Sequence, residues 1–178
     1  MEKLVKTIYI VFAFSLFLYL FIPNPSFPKP PKDALRSNEP ADTESLVRRA
    51  YFTNYTREEV MNYYSNNFKL PGFLNISTPT YRLNYPPEEA QTIIREQTRS
   101  TFLEEIVHPF RESLFVSGFE PKDPKDAIEI EGKIWRQKIT VRLVQSTLLS
   151  RFLVATLTLI VIAIIYVGYT SLLKKRNG

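Results

Sequence analysis

The sequence predicts an α+β fold: a small antiparallel sheet with helices on one face, flanked by N- and C-terminal transmembrane helices. Three observations lead there. Two uncharged apolar runs bracket a long polar middle, that middle alternates short strand-like and helix-like patterns, and the excess positive charge sits beside the apolar runs. The 178 residues carry a formal charge of +5, yet residues 24–147 hold 17 Lys+Arg against 17 Asp+Glu. The remaining cations are Lys3, Lys6, Arg151 and Lys174, Lys175 and Arg176. That placement is a membrane signature and argues against nucleic acid, which would demand a basic stripe on the folded part.

Residues 1–22 read as a retained signal anchor. Thr7 to Ile22 is uncharged and rich in Phe and Tyr, and Lys6 can snorkel at its edge. The sequence that follows, Pro23-Asn24-Pro25-Ser26-Phe27-Pro28, lacks the pair of small residues at the minus-3 and minus-1 positions that signal cleavage requires. Residues 23–41 read as a stalk, because six of the 13 prolines lie there and proline-dense chain favours extended polyproline II geometry. Residues 148–173 read as the second span. Phe152 to Leu173 is free of charge and, at 1.5 Å per residue, covers roughly 33 Å, enough for a bilayer core of about 30 Å. Residues 174–178 form a basic tail, which together with Lys3 and Lys6 places both termini in the cytoplasm and the middle outside it. Two glycosylation patterns, at Asn54 and Asn75, occur at about the chance frequency and decide nothing.

Residues 42–147 read as the extracytoplasmic α+β domain, long enough for one modest core. Thr43 to Phe52 is expected to be helical, with Leu46, Val47, Ala50 and Tyr51 on one face. A second helix starts after Thr56, whose hydroxyl forms a capping box with Glu59; Val60, Met61, Tyr64 and Phe68 make its apolar stripe. Thr78 to Tyr85 alternates as a strand. Pro86 opens the longest expected helix, running to about Val107. Ser113 to Phe119 reads as a strand. Ala127 to Val144 reads as a hairpin turning at Gly132, whose last arm puts Trp135, Gln137, Ile139, Val141 and Leu143 on one side and Arg136, Lys138, Thr140 and Arg142 on the other.

Chemistry is sparse. With no cysteine and one histidine, disulfide scaffolds, thiolate zinc sites and multi-histidine metal sites drop out. No phosphate-cradling, nucleophile-elbow or zincin motif occurs, so no cofactor, metal or small-molecule substrate is expected. Glu104 and His108, four apart on the expected helix, would be the start of a hydrolase or lyase site together with Glu105, although a histidine near a helix end is also favoured by the dipole alone. On that helix the apolar stripe changes sides near Arg99. Phe102, Leu103, Ile106 and Val107 therefore become the expected partner-binding face, with a bend in the helix as the plainer account. Arg136, Lys138, Arg142 and Arg151 descend toward the second span and are expected at lipid headgroups, or, for the strand residues, paired with Glu129 and Glu131. The ten tyrosines suit a core better than a glycan platform.

The two-span layout resembles the regulators of polysaccharide chain length, which also keep both ends in the cytoplasm around an extracytoplasmic α+β domain. Their proline-rich motif beside the second span is missing here, where the prolines follow the first span. The resemblance implies architecture and carries no activity. The expected function is non-enzymatic: an integral membrane protein that scaffolds or assembles a cell-envelope complex through a protein partner or self-association. The alternatives are a glycan- or lipid-binding domain and a membrane-tethered hydrolase.

Overall fold

The computed structural model describes residues 2–43, 45–69, 79–86, 89 and 100–176. The chain forms two compact units, residues 24–145 and the two terminal stretches together. The class is α+β, with an antiparallel six-stranded sheet and N- and C-terminal helices long and apolar enough to cross a membrane.

In the central unit, β1 (Leu35–Arg36), β2 (Arg48–Thr53), β3 (Tyr81–Tyr85), β4 (Phe102–Val107), β5 (Ser113–Phe119) and β8 (Gln137–Val144) make the main sheet in the order β1-β2-β8-β5-β4-β3. The strands β6 (Ile128–Ile130) and β7 (Lys133–Trp135) pair separately. Their turn places Glu131 at φ 56° and Gly132 at φ 71°, the two left-handed positions of a type I′ hairpin. The expected last arm thus breaks at Arg136, and its second half crosses into the centre of the main sheet. There Gln137, Ile139, Val141 and Leu143 are buried while Arg142 and Val144 are exposed, the alternation the sequence announces.

Helix α3 (Arg57–Asn67) covers one face of this sheet, and the four-residue α2 (Pro40–Thr43) precedes β2. The capping box of α3 is complete. Thr56 Oγ1 accepts from the Glu59 amide at 3.2 Å, and Glu59 Oε2 accepts from the Thr56 amide at 2.7 Å. Val60, Met61, Tyr64 and Phe68 then bury against Tyr51, Phe102, Ile106, Leu114, Val116, Ile139, Val141 and Leu143. One close approach fixes β4 against β5: a Cβ on Gly118 would meet the Phe102 ring at 2.2 Å, so only glycine lets that ring lie over the sheet.

Three expectations are corrected. Arg48–Thr53 is a strand, where the spacing predicts a helix over Thr43 to Phe52. Phe102–Val107 is also a strand, where the spacing predicts the second half of the long helix; residues 87, 88 and 90–99 of that helix lie outside the described residues. Both segments run inside the sheet and bury side chains on both faces, so the period-two alternation of a half-exposed strand is missing. The third correction concerns the stalk. Arg49 lies over the Phe27 ring at 4.4 Å, Tyr63 donates to the Pro30 carbonyl at 2.8 Å, and Leu35–Arg36 pairs with β2. Asp33 accepts from Thr53 Oγ1 at 2.9 Å and from the Asn54 amide at 2.8 Å. The segment is part of the domain's packing and no free spacer.

In the terminal unit, α1 (Glu2–Phe21) and α4 (Leu148–Arg176) pack antiparallel. Phe17 meets Phe152 edge to face at 5.5 Å, and Tyr9 donates to the Leu159 carbonyl at 2.7 Å. Leu20, Ala155 and Leu159 are buried in the seam, whereas most other apolar side chains of the pair point outward.

Candidate functional site

The segment Phe102–Glu112 carries most of the residues singled out by the sequence. In β4, Glu104 and Glu105 point to opposite faces. Glu104 has no exposed surface, yet accepts from Arg57 Nε at 2.7 Å and from the Arg82 guanidinium, which also reaches Glu58 at 2.9 Å. Burial alone would raise the Glu104 pKa; the hydrogen bonds and charges of Arg82 and Arg57 outweigh it and hold the carboxyl below its ordinary range. The network ties the start of α3 to β3 and β4. On the other face Glu105 accepts from the Tyr85 hydroxyl, and burial followed by that carboxylate pushes the phenol up to about 12.

His108 does not join Glu104. It sits in the β4–β5 turn, where Nδ1 lies 2.9 Å from Glu112 Oε1 and the ring stacks on Phe68 at 4.6 Å. Arg111 Nε donates to the same oxygen at 3.3 Å. All three polar side chains are buried, and His108 Nε2 has no hydrogen-bond partner among the described residues. The three residues of the hydrolase alternative, Glu104, Glu105 and His108, are thus held apart on two faces and a turn. No cluster of three metal-ligating side chains occurs among the described residues.

The expected partner-binding residues lose the helical face that suggested them. Phe102, Leu103 and Ile106 are buried and Val107 is half-buried, all within the sheet. The expected headgroup residues divide. Arg136 donates to Glu120 at 2.8 Å; Lys138 reaches Glu39 and Asp42, each at 2.7 Å. Glu129 instead stands opposite Ile134, so the anticipated pairing with Glu129 and Glu131 is corrected. Burial would lower the Lys138 pKa, but Asp42 and Glu39 raise it on balance. Arg142 stays exposed, directly across from Arg48.

Arg151, expected among headgroups, is 4% exposed and points at protein. Its guanidinium donates to the carbonyls of Leu20 (3.3 Å), Ile22 (3.2 Å) and Ser146 (3.2 Å) and to Ser146 Oγ (2.8 Å). It thereby caps the C-terminal carbonyls of α1, which lack partners within the helix. Sequence reasoning finds its charge and misses this use; the available signal is a lone arginine facing the end of the other apolar run.

Two exposed features had no sequence forecast. Among the described residues, strand β3 is an edge of the main sheet, with Tyr81 and Leu83 exposed. Phe110 stands out of the β4–β5 turn at φ 61°. No protein family, curated protein or solved structure matches this chain.

Proposed function

We propose that the chain is a non-enzymatic, two-span integral membrane protein that presents its central domain outside the cytoplasm to assemble a cell-envelope complex. The observation that carries this reading is the helix pair: two helices of spanning length and composition pack antiparallel, and Arg151 clips the end of α1 to the start of α4. A domain inserted between such helices emerges with both its ends on one side. The neutral charge of residues 24–147 and the internal satisfaction of Glu104, Lys138 and Arg136 leave the domain surface as its working part. The edge that β3 forms among the described residues is the assembly surface in this reading, since an edge strand offers unpaired backbone groups to another chain.

Epitope tags at each end and protease treatment of intact and permeabilised cells test the topology. Both tags are protected in intact cells and the domain is cut; a tag lost from intact cells refutes it. Leu83→Lys and Tyr81→Lys, singly and together, then test the edge. Cross-linked oligomers or a co-purified partner should fall at least fivefold with unchanged thermal unfolding. Undiminished association with both substitutions refutes the edge.

A further inference from the structure

Strand register gathers exposed apolar side chains at one end of the main sheet. Val107 pairs with Tyr81 and Ser113, Ser113 pairs with Val144, and Arg142 pairs with Arg48. The starts of β2 and β3, the β4–β5 turn and the end of β8 therefore share that end. Leu46 (88% exposed), Phe110 (67%), Tyr81, Val144 and Val47 all lie there. In the central unit only Leu83 and Ile134 are large, apolar and exposed elsewhere among the described residues.

The turn that carries Phe110 is braced. The His108 amide donates to the Glu112 carbonyl and the Arg111 amide to the His108 carbonyl, each at 3.0 Å, above the buried His108–Glu112–Arg111 group. A non-glycine residue at positive φ is held there by its surroundings, with its ring directed outward.

The charge at this end has one sign. Arg48 and Arg142 stand opposite each other across β2 and β8, an arrangement that like charges disfavour, and neither has an acidic partner among the described residues. Lys69 adds a third cation just past Phe68, which stacks on His108. No exposed carboxylate lies at this end among the described residues.

Apolar tips ringed by cations suit the interface of an anionic bilayer. The chain itself argues for that occupant over a protein partner. From Val144 to Leu148, where α4 begins, is four Cα steps, at most about 14 Å. We propose that this end of the sheet docks on the anionic phospholipid headgroups of the bilayer holding α1 and α4. Phe110 and Leu46 enter the interface, and Arg48 and Arg142 hold lipid phosphates. The proposal rests on the two-span reading above.

The absence of cysteine makes single-site labelling direct. Nitroxides are placed at Phe110→Cys, Leu46→Cys, Ile134→Cys and Ile160→Cys in the full chain, in nanodiscs with and without phosphatidylglycerol. Accessibility to oxygen, which concentrates in lipid, is compared with that to a water-soluble nickel chelate. Positions 110 and 46 are expected to favour oxygen in anionic discs while 134 favours nickel. Arg48→Glu with Arg142→Glu should shift docking toward release by at least tenfold, from about fivefold for each basic residue near such a surface. If position 160 reports lipid while 110 and 46 match 134, the docking proposal falls and the spans stand. If 160 reports water, both fall. Burial of 110 from both reagents would mean a protein partner covers this end, and would overturn the lipid assignment.

Discussion

Replacing Glu104 by glutamine tests the sheet and its buried network in one step. The substitution keeps the side-chain volume and removes the charge that Arg57 and Arg82 share. Both arginines remain partly in water, with 41% and 34% of their side chains exposed, and Arg82 keeps Glu58. The loss is therefore smaller than for a fully buried pair and amounts to about 1–3 kcal/mol, since hydrogen bonds to charged groups contribute about 1.5–3 kcal/mol and solvent screening of the exposed arginines lowers that. For a domain of this size that lowers Tm by about 4–12 °C. The assay is thermal unfolding of the full chain in detergent, followed by near-ultraviolet circular dichroism, which reports the packed aromatics of the domain. Glu104 on a solvated helix face, paired with nothing or with His108, would cost under about 0.5 kcal/mol. A Tm within about 1 °C of the parent, below the smallest shift expected above, or a more stable glutamine variant, would refute the network reading.

The same carboxyl sets an acid limit. Its folded pKa is depressed, so its contribution is complete above the ordinary glutamate value and is lost as pH falls through the folded one. Domain stability should drop below about pH 4, and the Glu104→Gln variant should lose less over that interval, as acid titration of Tm would record. Arg151→Ala removes the guanidinium that donates to the carbonyls of Leu20, Ile22 and Ser146 and should weaken the helix pair by about 1–3 kcal/mol in a denaturing-detergent titration. Arg151→Lys should recover only part of this because one ammonium cannot reproduce the guanidinium fork. Gly118→Ala drives a methyl into the Phe102 ring and should cost about 1–3 kcal/mol; Phe102→Leu in the same chain should relieve part of that cost, which a double-mutant cycle measures.

The parts of the fold that could be read from sequence are those whose local pattern and tertiary role agree. Thr56 and Glu59 announce α3 because a capping box uses only neighbours. Ser113–Phe119 and the alternation of Gln137–Val144 announce strands whose two faces differ in polarity. Arg48–Thr53 and Phe102–Val107 lack that agreement. Ala50 and Phe52 are buried on one face and Tyr51 and Thr53 on the other, so spacing alone matches a helix. In β4 the adjacent Glu104 and Glu105 resemble a solvated helix face, and nothing nearby in sequence reveals that Arg57 and Arg82 neutralise one while Tyr85 binds the other. The partner-binding face at Phe102, Leu103, Ile106 and Val107 disappears for the same reason, since it depends on a helical period and the segment is a strand. For residues 23–41, proline content reports backbone conformation and leaves open what Phe27, Asp33 and Leu35 touch.

Net charge near zero in residues 24–147 conceals an uneven distribution, and the unevenness bears on function. Several carboxylates meet specific cations: Glu104 and Glu58 on Arg57 and Arg82, Glu39 and Asp42 on Lys138, Glu120 on Arg136. Arg82, Lys138 and Arg136 are therefore each screened by a pair of their own and present little charge to an anionic surface. Arg48 and Arg142, set opposite each other with no described acid between them, keep their charge available. A balanced total therefore does not make the domain electrically featureless. The end that holds these two cations also carries Phe110 and Leu46 outward. Under the docking proposal above, a neutral domain held at a bilayer by a cationic end is oriented without being bound over its whole surface, and the proposed assembly edge at β3 is left for a second chain.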